Sequence, residues 1–280
     1  MPSQALLETP EFSLEWIDER ARGENFPVAS IFAPPKARPH LRAIYGFARL
    51  VDNLGDEASG DREALLDELE RELDGPPWTE VMRRVHTTIT TCRLPREPFA
   101  RLIEANRIDQ RRSRYDTWRE LREYCAYSAE PVGRLVLGVF GRADEPDLVA
   151  LSDDVCTGLQ LVNFLQDPPR DLALGRVYLP HEDLRRFAVS EDELRAGPPS
   201  ERLVSLFRFE ADRARALLDR GRPLGAALGG RAGRSVALFA RGGLAALASL
   251  ERAGWDVFTR RPAPSRLTLA ALALHDLVRS

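Results

Sequence analysis

Residues 160–180 read QLVNFLQDPPRDLALGRVYLP, and residues 43–57 read AIYGFARLVDNLGDE. These two stretches decide the fold. In the first, Gln160, Asn163, Asp167 and Asp171 recur at spacings of three and four, as Tyr45, Arg49, Asp52 and Asp56 do in the second. At about 3.6 residues per turn each set falls on one face of a helix, so each stretch carries a polar stripe on an apolar cylinder. Polar side chains in such a setting need a partner or a task. Taken singly, an Asp-x-x-x-Asp ladder is more often an exposed ion-pair array than a site. Two ladders facing each other across a hollow would collect hard divalent cations, and those cations would hold a phosphate-bearing ligand.

Outward from these stretches the chain alternates helix and breaker. The run 38–56 follows the Pro34-Pro35 break and places Leu41, Ile44, Tyr45, Ala48 and Val51 on one stripe. The run 61–73, DREALLDELEREL, interleaves acids and arginines with leucines as a solvated amphipathic helix does, and Gly75-Pro76-Pro77 closes it. Further breakers fall at Leu94-Pro95-Arg96, Glu145-Pro146, Gly197-Pro198-Pro199 and Arg261-Pro262-Ala263-Pro264. The intervals are too long for strands, and β-branched alternation is absent except at Arg176-Val177-Tyr178-Leu179. The expected fold is all-α: a single helical domain over 1–280 around a central cavity, with 1–20 and 266–280 peripheral.

The bulk numbers exclude several classes. With 280 residues, 44% of them hydrophobic, the chain can bury one large core. A net charge of -3 argues against nucleic-acid binding by phosphate neutralisation. Lys36 is the one lysine among 40 basic residues, so a phosphate-contacting cation is expected to be an arginine, with its bidentate fork. Cys92, Cys125 and Cys156 are widely spaced and odd in number, which reads as reduced thiols in a cytoplasmic protein. MPSQALLETPEF lacks the basic head and apolar run of a signal peptide, and no window is expected to span a membrane. The apolar stretch 267–278 reads as a packing helix, with peripheral contact to a membrane surface as the alternative. His40, His86, His181 and His275 show no metal-ligand spacing, and Gly225 through Gly233 lacks the lysine and strand of a phosphate loop, so close helix contact or a loop accounts for it.

Together with Tyr124-Cys-Ala-Tyr-Ser-Ala-Glu-Pro-Val-Gly133, the two acidic stretches resemble the squalene/phytoene synthase family of all-helical isoprenoid enzymes. The likeness runs from about Glu24 to about Pro262 and takes in the late Gly242-Gly243 and Glu251-Arg252-Ala253-Gly254-Trp255-Asp256-Val257. Glu24-Asn25-Phe26-Pro27-Val28, Leu102-Ile103-Glu104-Ala105-Asn106-Arg107 and Ser128-Ala129-Glu130-Pro131-Val132-Gly133 most resemble the hydroxysqualene synthase branch of bacterial hopanoid pathways.

The resemblance implies a Mg²⁺-dependent enzyme acting on a prenyl or presqualene diphosphate. Asp52, Asp56, Asn163, Asp167 and Asp171 would bind Mg²⁺ and diphosphate, Arg49 and Arg176 would contact phosphate, and Tyr124 would handle protons near a carbocation. Tyr45, Phe26 and Tyr178 complete the expected substrate contacts, with Asp52, Asp167 and Tyr124 as the catalytic set. Phe32, Phe47, Phe140 and Phe164 are further candidate lining, although each also suits plain core. No GxGxxG follows a strand, so no nicotinamide site is expected. Monomer and homodimer both stay open.

Three departures from the family pattern matter. Asn53 stands where many members carry a second aspartate. Glu24 and Asn25 stand where condensing branches carry a basic residue and a serine, which favours the hydroxysqualene branch over head-to-head condensation. Pro168 and Pro169 interrupt the second ladder, and because proline removes a donor and clashes with the preceding turn, the helix is expected to end or kink near Asp167. Either a local bend still delivers Asp171, or Asp167 and Asn163 carry most of the metal binding; the interruption and Asn53 together also leave a catalytically silent scaffold as an alternative reading.

Overall fold

The computed structural model describes residues 33–265 except Ala196, together with Thr268 and Ala271. Its helices start where the local chemistry supplies a cap or a proline. α1 (Arg38–Asp56) opens with a proline in its first turn, as do α4 (Glu97–Arg111) and α6 (Glu130–Val139). Side chains accept from the first-turn N–H groups of α2 (Arg62–Asp74, capped by Asp61), α3 (Glu80–Cys92, by Thr79) and α5 (Trp118–Ser128, by Thr117). α7 (Pro146–Gln166), α8 (Pro168–Ala173) and α9 (His181–Arg186) follow. α10 (Glu201–Gly221), capped by Ser200, then leads to α11 (Leu224–Leu228) and α12 (Gly230–Arg252). Among the described residues there is no strand, and the fold is all-α as expected.

α7 is the axis of the bundle. It packs most extensively on α10, and also on α6 and α12. By length and composition it is the one described helix apolar enough to cross a membrane, against the expectation that none is. Its neighbours explain the apolarity, since a helix enclosed by other helices is apolar nearly all round. Two of its three acids are matched locally: Asp153 receives Arg134 at 2.8 Å and Asp154 receives Arg220 at 3.0 Å.

The register of three helices sets up the site. Phe47 meets Phe99 edge to face at 5.0 Å, and eight residues later along α1, a Cβ on Gly55 would lie 2.1 Å from Asn106 Oδ1. These contacts run in the same order along both helices, so α1 and α4 are parallel, and only glycine at 55 admits the Asn106 amide. The short 112–117 connection makes α4 and α5 antiparallel, with Tyr124 on α5 level with Asp109 on α4.

The one segment with strand character, 176–179, is extended but forms no ladder. The Val177 N–H donates to Ser113 O at 2.9 Å and the His181 N–H to Tyr115 O at 2.9 Å, fastening it to the α4–α5 connection. The glycines near 230 are a close helix contact, since a Cβ on Gly233 would lie 2.0 Å from Gly225 O.

Candidate active site

The Pro168-Pro169 break delivers Asp171. α7 ends at Gln166, Asp167 takes φ -117° and ψ 20°, and α8 begins at Pro168 with its prolines in the first turn, where no N–H is missed. The Asp171 N–H then donates to Asp167 O at 2.9 Å, so a new helical turn keeps the two carboxylates a turn apart. The expected bend is present, and it carries Asp171 toward α1.

Both ladders line one cavity of about 840 Å³. Asp52 and Asp56 come from α1, Asn163 from α7, Asp167 from the junction and Asp171 from α8; Arg49, Tyr124, Arg176 and Tyr178 share the lining. The charges feel one another across it. Burial raises the Asp171 carboxyl to about 8, with Asp167 and Asp56 pushing the same way and Arg170 and Arg176 opposing. Arginines offset part of this excess. Arg176 Nη1 donates to Asp56 at 2.5 Å and stands 3.9 Å from Asp109, while Arg261 grips Asp167 through two bonds of 2.5 and 2.9 Å. Gln166 Nε2 donates to Pro262 O at 2.5 Å, fixing the Arg261-bearing strap over the same wall.

Beside the acids lies an aromatic face. The Phe164 and Tyr178 rings stack at 4.1 Å, and Tyr124 lies over Tyr178 at 5.6 Å. Tyr115 completes the group at 5.3 Å from Tyr124. Both phenols that line the cavity donate to Asp109, Tyr124 at 2.5 Å and Tyr178 at 2.9 Å. Burial holds the Tyr124 hydroxyl well above its ordinary pKa, so it stays protonated. Burial also raises Asp109, against Arg176 and the two phenols, to about 6.

The donors suit Mg²⁺. They are hard oxygens, carried in excess over the local positive charge, on two walls rather than one nest. Among the described residues no three carboxylate, imidazole or thiolate groups converge on a single point, so ions held here would take their remaining ligands from water and from a diphosphate.

One expected contact is not on the cavity lining, and another falls outside the described residues. Tyr45 shares the face of Arg49 but sits about 10 Å along α1 from Asp52, short of the cavity, and packs partly buried with the Phe47 cluster. Phe26 lies outside the described residues, as do Phe32, His275 and most of 267–278. Phe47 is core and Phe140 packs against the Leu137 cluster, so among the described candidate lining aromatics Phe164 is the one on the cavity wall.

Sequence reasoning missed Asp109, Asn106, Ser128, Phe239 and Arg261, all on the lining. Asn106 and Asp109 carried the same signal as the ladders, polar residues three apart among Leu102, Ile103 and Ala105. Arg261 carried none, because only folding brings it 94 positions back to Asp167.

The profile of the squalene/phytoene synthase family matches residues 20–268. A hydroxysqualene synthase of Sinorhizobium fredii is 38% identical over 210 residues, which is 73% of this chain and 71% of that protein. A 15-cis-phytoene synthase of Synechocystis sp. is 37% identical over 209 residues, 69% of this chain and 62% of that one. Among solved structures, squalene synthase HpnC from Alicyclobacillus acidocaldarius superposes with a TM-score of 0.78 at 47% identity, covering 88% of this chain and 95% of its own.

Proposed function

This chain belongs to the squalene/phytoene synthase family of enzymes, and from that premise we propose that it converts presqualene diphosphate to hydroxysqualene with release of diphosphate. The observation that carries the reading is the meeting of both aspartate ladders and an aromatic face in one cavity. Asp171 on the lining of that cavity speaks against the Pro168-Pro169 interruption as a ground for a silent scaffold.

The residues divide the work by position. Asp52, Asp56, Asn163, Asp167 and Asp171 would hold Mg²⁺, which when bound supplies positive charge against the departing diphosphate. Arg49 and Arg176 face the same space and would bind phosphate oxygens, Arg176 already being oriented by Asp56. Loss of diphosphate leaves a carbocation, and the faces of Phe164, Tyr178 and Tyr124 offer it their negative quadrupoles. The Tyr124 hydroxyl is committed to Asp109, which aims its ring and leaves the phenol a donor rather than a base. Water adds to the cation, and the proton it sheds passes to the released diphosphate.

The choice of branch rests on the hydroxysqualene synthase relative and on the Ser128–Gly133 segment. Head-to-head condensation of two prenyl diphosphates is the second reading, favoured by the nearly equal identity to the phytoene synthase. Offering purified protein and Mg²⁺ either presqualene diphosphate or farnesyl and geranylgeranyl diphosphates, then analysing the lipids, separates the two. A hydroxylated triterpene from the first substrate is expected, and its complete absence at high enzyme level rejects the proposal.

A further inference from the structure

Both oxygens of the Asp167 carboxylate are taken by one arginine. Arg261 Nε donates to Oδ1 at 2.5 Å and Nη2 to Oδ2 at 2.9 Å, the two-bonded geometry in which a guanidinium fork matches a carboxylate. These are the atoms that Asp167 would offer a divalent cation, so they become fully accessible to one only as the fork withdraws. Arg261 and its neighbours Ala263 and Pro264 line the same cavity as both ladders.

The side chain can leave while its backbone stays. Asp256 accepts from the Phe258 and Thr259 N–H groups at 3.0 Å each and from the Thr259 hydroxyl at 2.6 Å, which folds the chain just after the buried Trp255. Beyond Arg261, the buried Gln166 amide holds Pro262 O at 2.5 Å. The strap is thus fixed on both sides of Arg261. Its side chain is 49% exposed and that of Asp167 17%, so the pair sits at the rim, where water replaces most of what a broken ion pair loses. Arg176 differs. It is 7% exposed, donates to Asp56 and stands beside the equally buried Asp109, which its withdrawal would strand without a counter-charge.

We propose that Arg261 is an exchanging counter-ion, holding Asp167 until a divalent cation and a diphosphate arrive together, then passing its fork from the carboxylate to the diphosphate oxygens. The assignment rests on the reading of Asp167 as a metal ligand. Carboxylate and diphosphate both present paired oxygens to a guanidinium, and the diphosphate carries more negative charge. No covalent bond changes; two hydrogen bonds are traded for two. The consequence is linkage. Arg261 competes with a lone cation for Asp167, whereas diphosphate gives the arginine a second partner, so each ligand raises the affinity of the other. The site therefore fills as a set.

Calorimetry on Arg261→Gln tests the exchange, with Mg²⁺ titrated alone and again at saturating inorganic diphosphate. Arg170→Gln is the control, because Arg170 lines the same cavity, is 57% exposed, and approaches Glu57 rather than Asp167. In Arg261→Gln, Mg²⁺ alone is expected to bind about two- to fivefold more tightly, the range that an exposed ion pair represents. The factor by which diphosphate strengthens Mg²⁺ binding should fall by about fivefold or more. In Arg170→Gln both changes should be smaller. Complexing of the two ions in solution is common to all three proteins and cancels. Unchanged or weaker Mg²⁺ binding in Arg261→Gln, or equal effects in Arg170→Gln, overturns the exchange while leaving the metal site intact. If the unaltered protein binds no Mg²⁺ even with diphosphate, the reading of the site fails and the exchange with it.

Discussion

Tyr124 donates its phenolic hydrogen to Asp109 at 2.5 Å, and the carboxylate that receives it is itself held against its burial by Arg176 and Tyr178. Asp109, which also accepts from Tyr178 at 2.9 Å, thus ties α4, α5 and the 176–179 segment to the aromatic face. Asp109 titrates at about 6, above its ordinary value of 3.8, because burial outweighs the neighbours that favour its charge. The two consequences oppose each other. A raised folded pKa adds stability that is complete below about 4 and is lost as pH climbs through 6. On the proposed mechanism catalysis uses the charged acceptor and gains over the same interval.

Activity is therefore expected to fall on the acid side with an apparent pKa near 6. In Asp109→Asn that limb should flatten, with kcat/KM at neutral pH lower by roughly 10- to 100-fold, since Tyr124 loses a charged partner. A pH–rate series on both proteins measures it. An unaltered limb in the variant would assign the titration to another group.

Removing a carboxylate from either wall should cost more than any change in the aromatic face. Asp52→Ala and Asp167→Ala are each expected to lower kcat/KM by roughly 100-fold or more, with little loss of thermal stability because neither side chain is core. Chelation of divalent ions should abolish turnover and added Mg²⁺ restore it. Calorimetry with Mg²⁺ and inorganic diphosphate gives the binding side of the same question. Undiminished binding in Asp52→Ala would contradict the site.

Away from the cavity, Glu210 and Asp183 share one arginine. Arg213 Nη1 meets Glu210 at 2.7 Å and Asp183 at 3.0 Å, with its guanidinium over the Trp118 ring at 4.5 Å. Burial, reinforced by Asp183 against Arg213, raises Glu210 to about 8. Its folded pKa lies above the unfolded value, so the stability it lends is full below about 4.5 and disappears as pH rises through 8. Glu210→Gln should be less sensitive than the unaltered protein to pH between 6 and 9, and melt higher at the alkaline end. Melting curves across that range test the sign.

Gly55→Ala should destabilise the fold by about 1–3 kcal/mol, as overpacking does, because its methyl group would sit 2.1 Å from Asn106 Oδ1. Asn106→Ala in the same chain should recover part of the loss, a coupling read by a double-mutant cycle. Additive effects would mean that the parallel register of α1 and α4 is held elsewhere.

How much of this is legible in the chain depends on the range of the signal. Periodicity at three and four puts Asp52 with Asp56, and Asn163 with Asp167, on common helix faces, because helical neighbours are fixed by a rise of about 1.5 Å per residue. The break at Pro168 follows from the missing N–H and the ring clash, both local. The rule fails with distance. Tyr45 shares a face with Arg49 and still misses the cavity, because a face says nothing about where along the helix the partner ends.

By itself, then, the sequence determined an all-helical chain with two acidic ladders, and its likeness to a family told which chemistry to expect of them. That the ladders face each other, that a new helical turn carries Asp171 past two prolines, and that Arg261 returns to Asp167 were decided by packing. Hydrogen bonds and side-chain periods act over a few residues of chain, whereas a cavity is the space left between helices whose mutual register the whole core must settle.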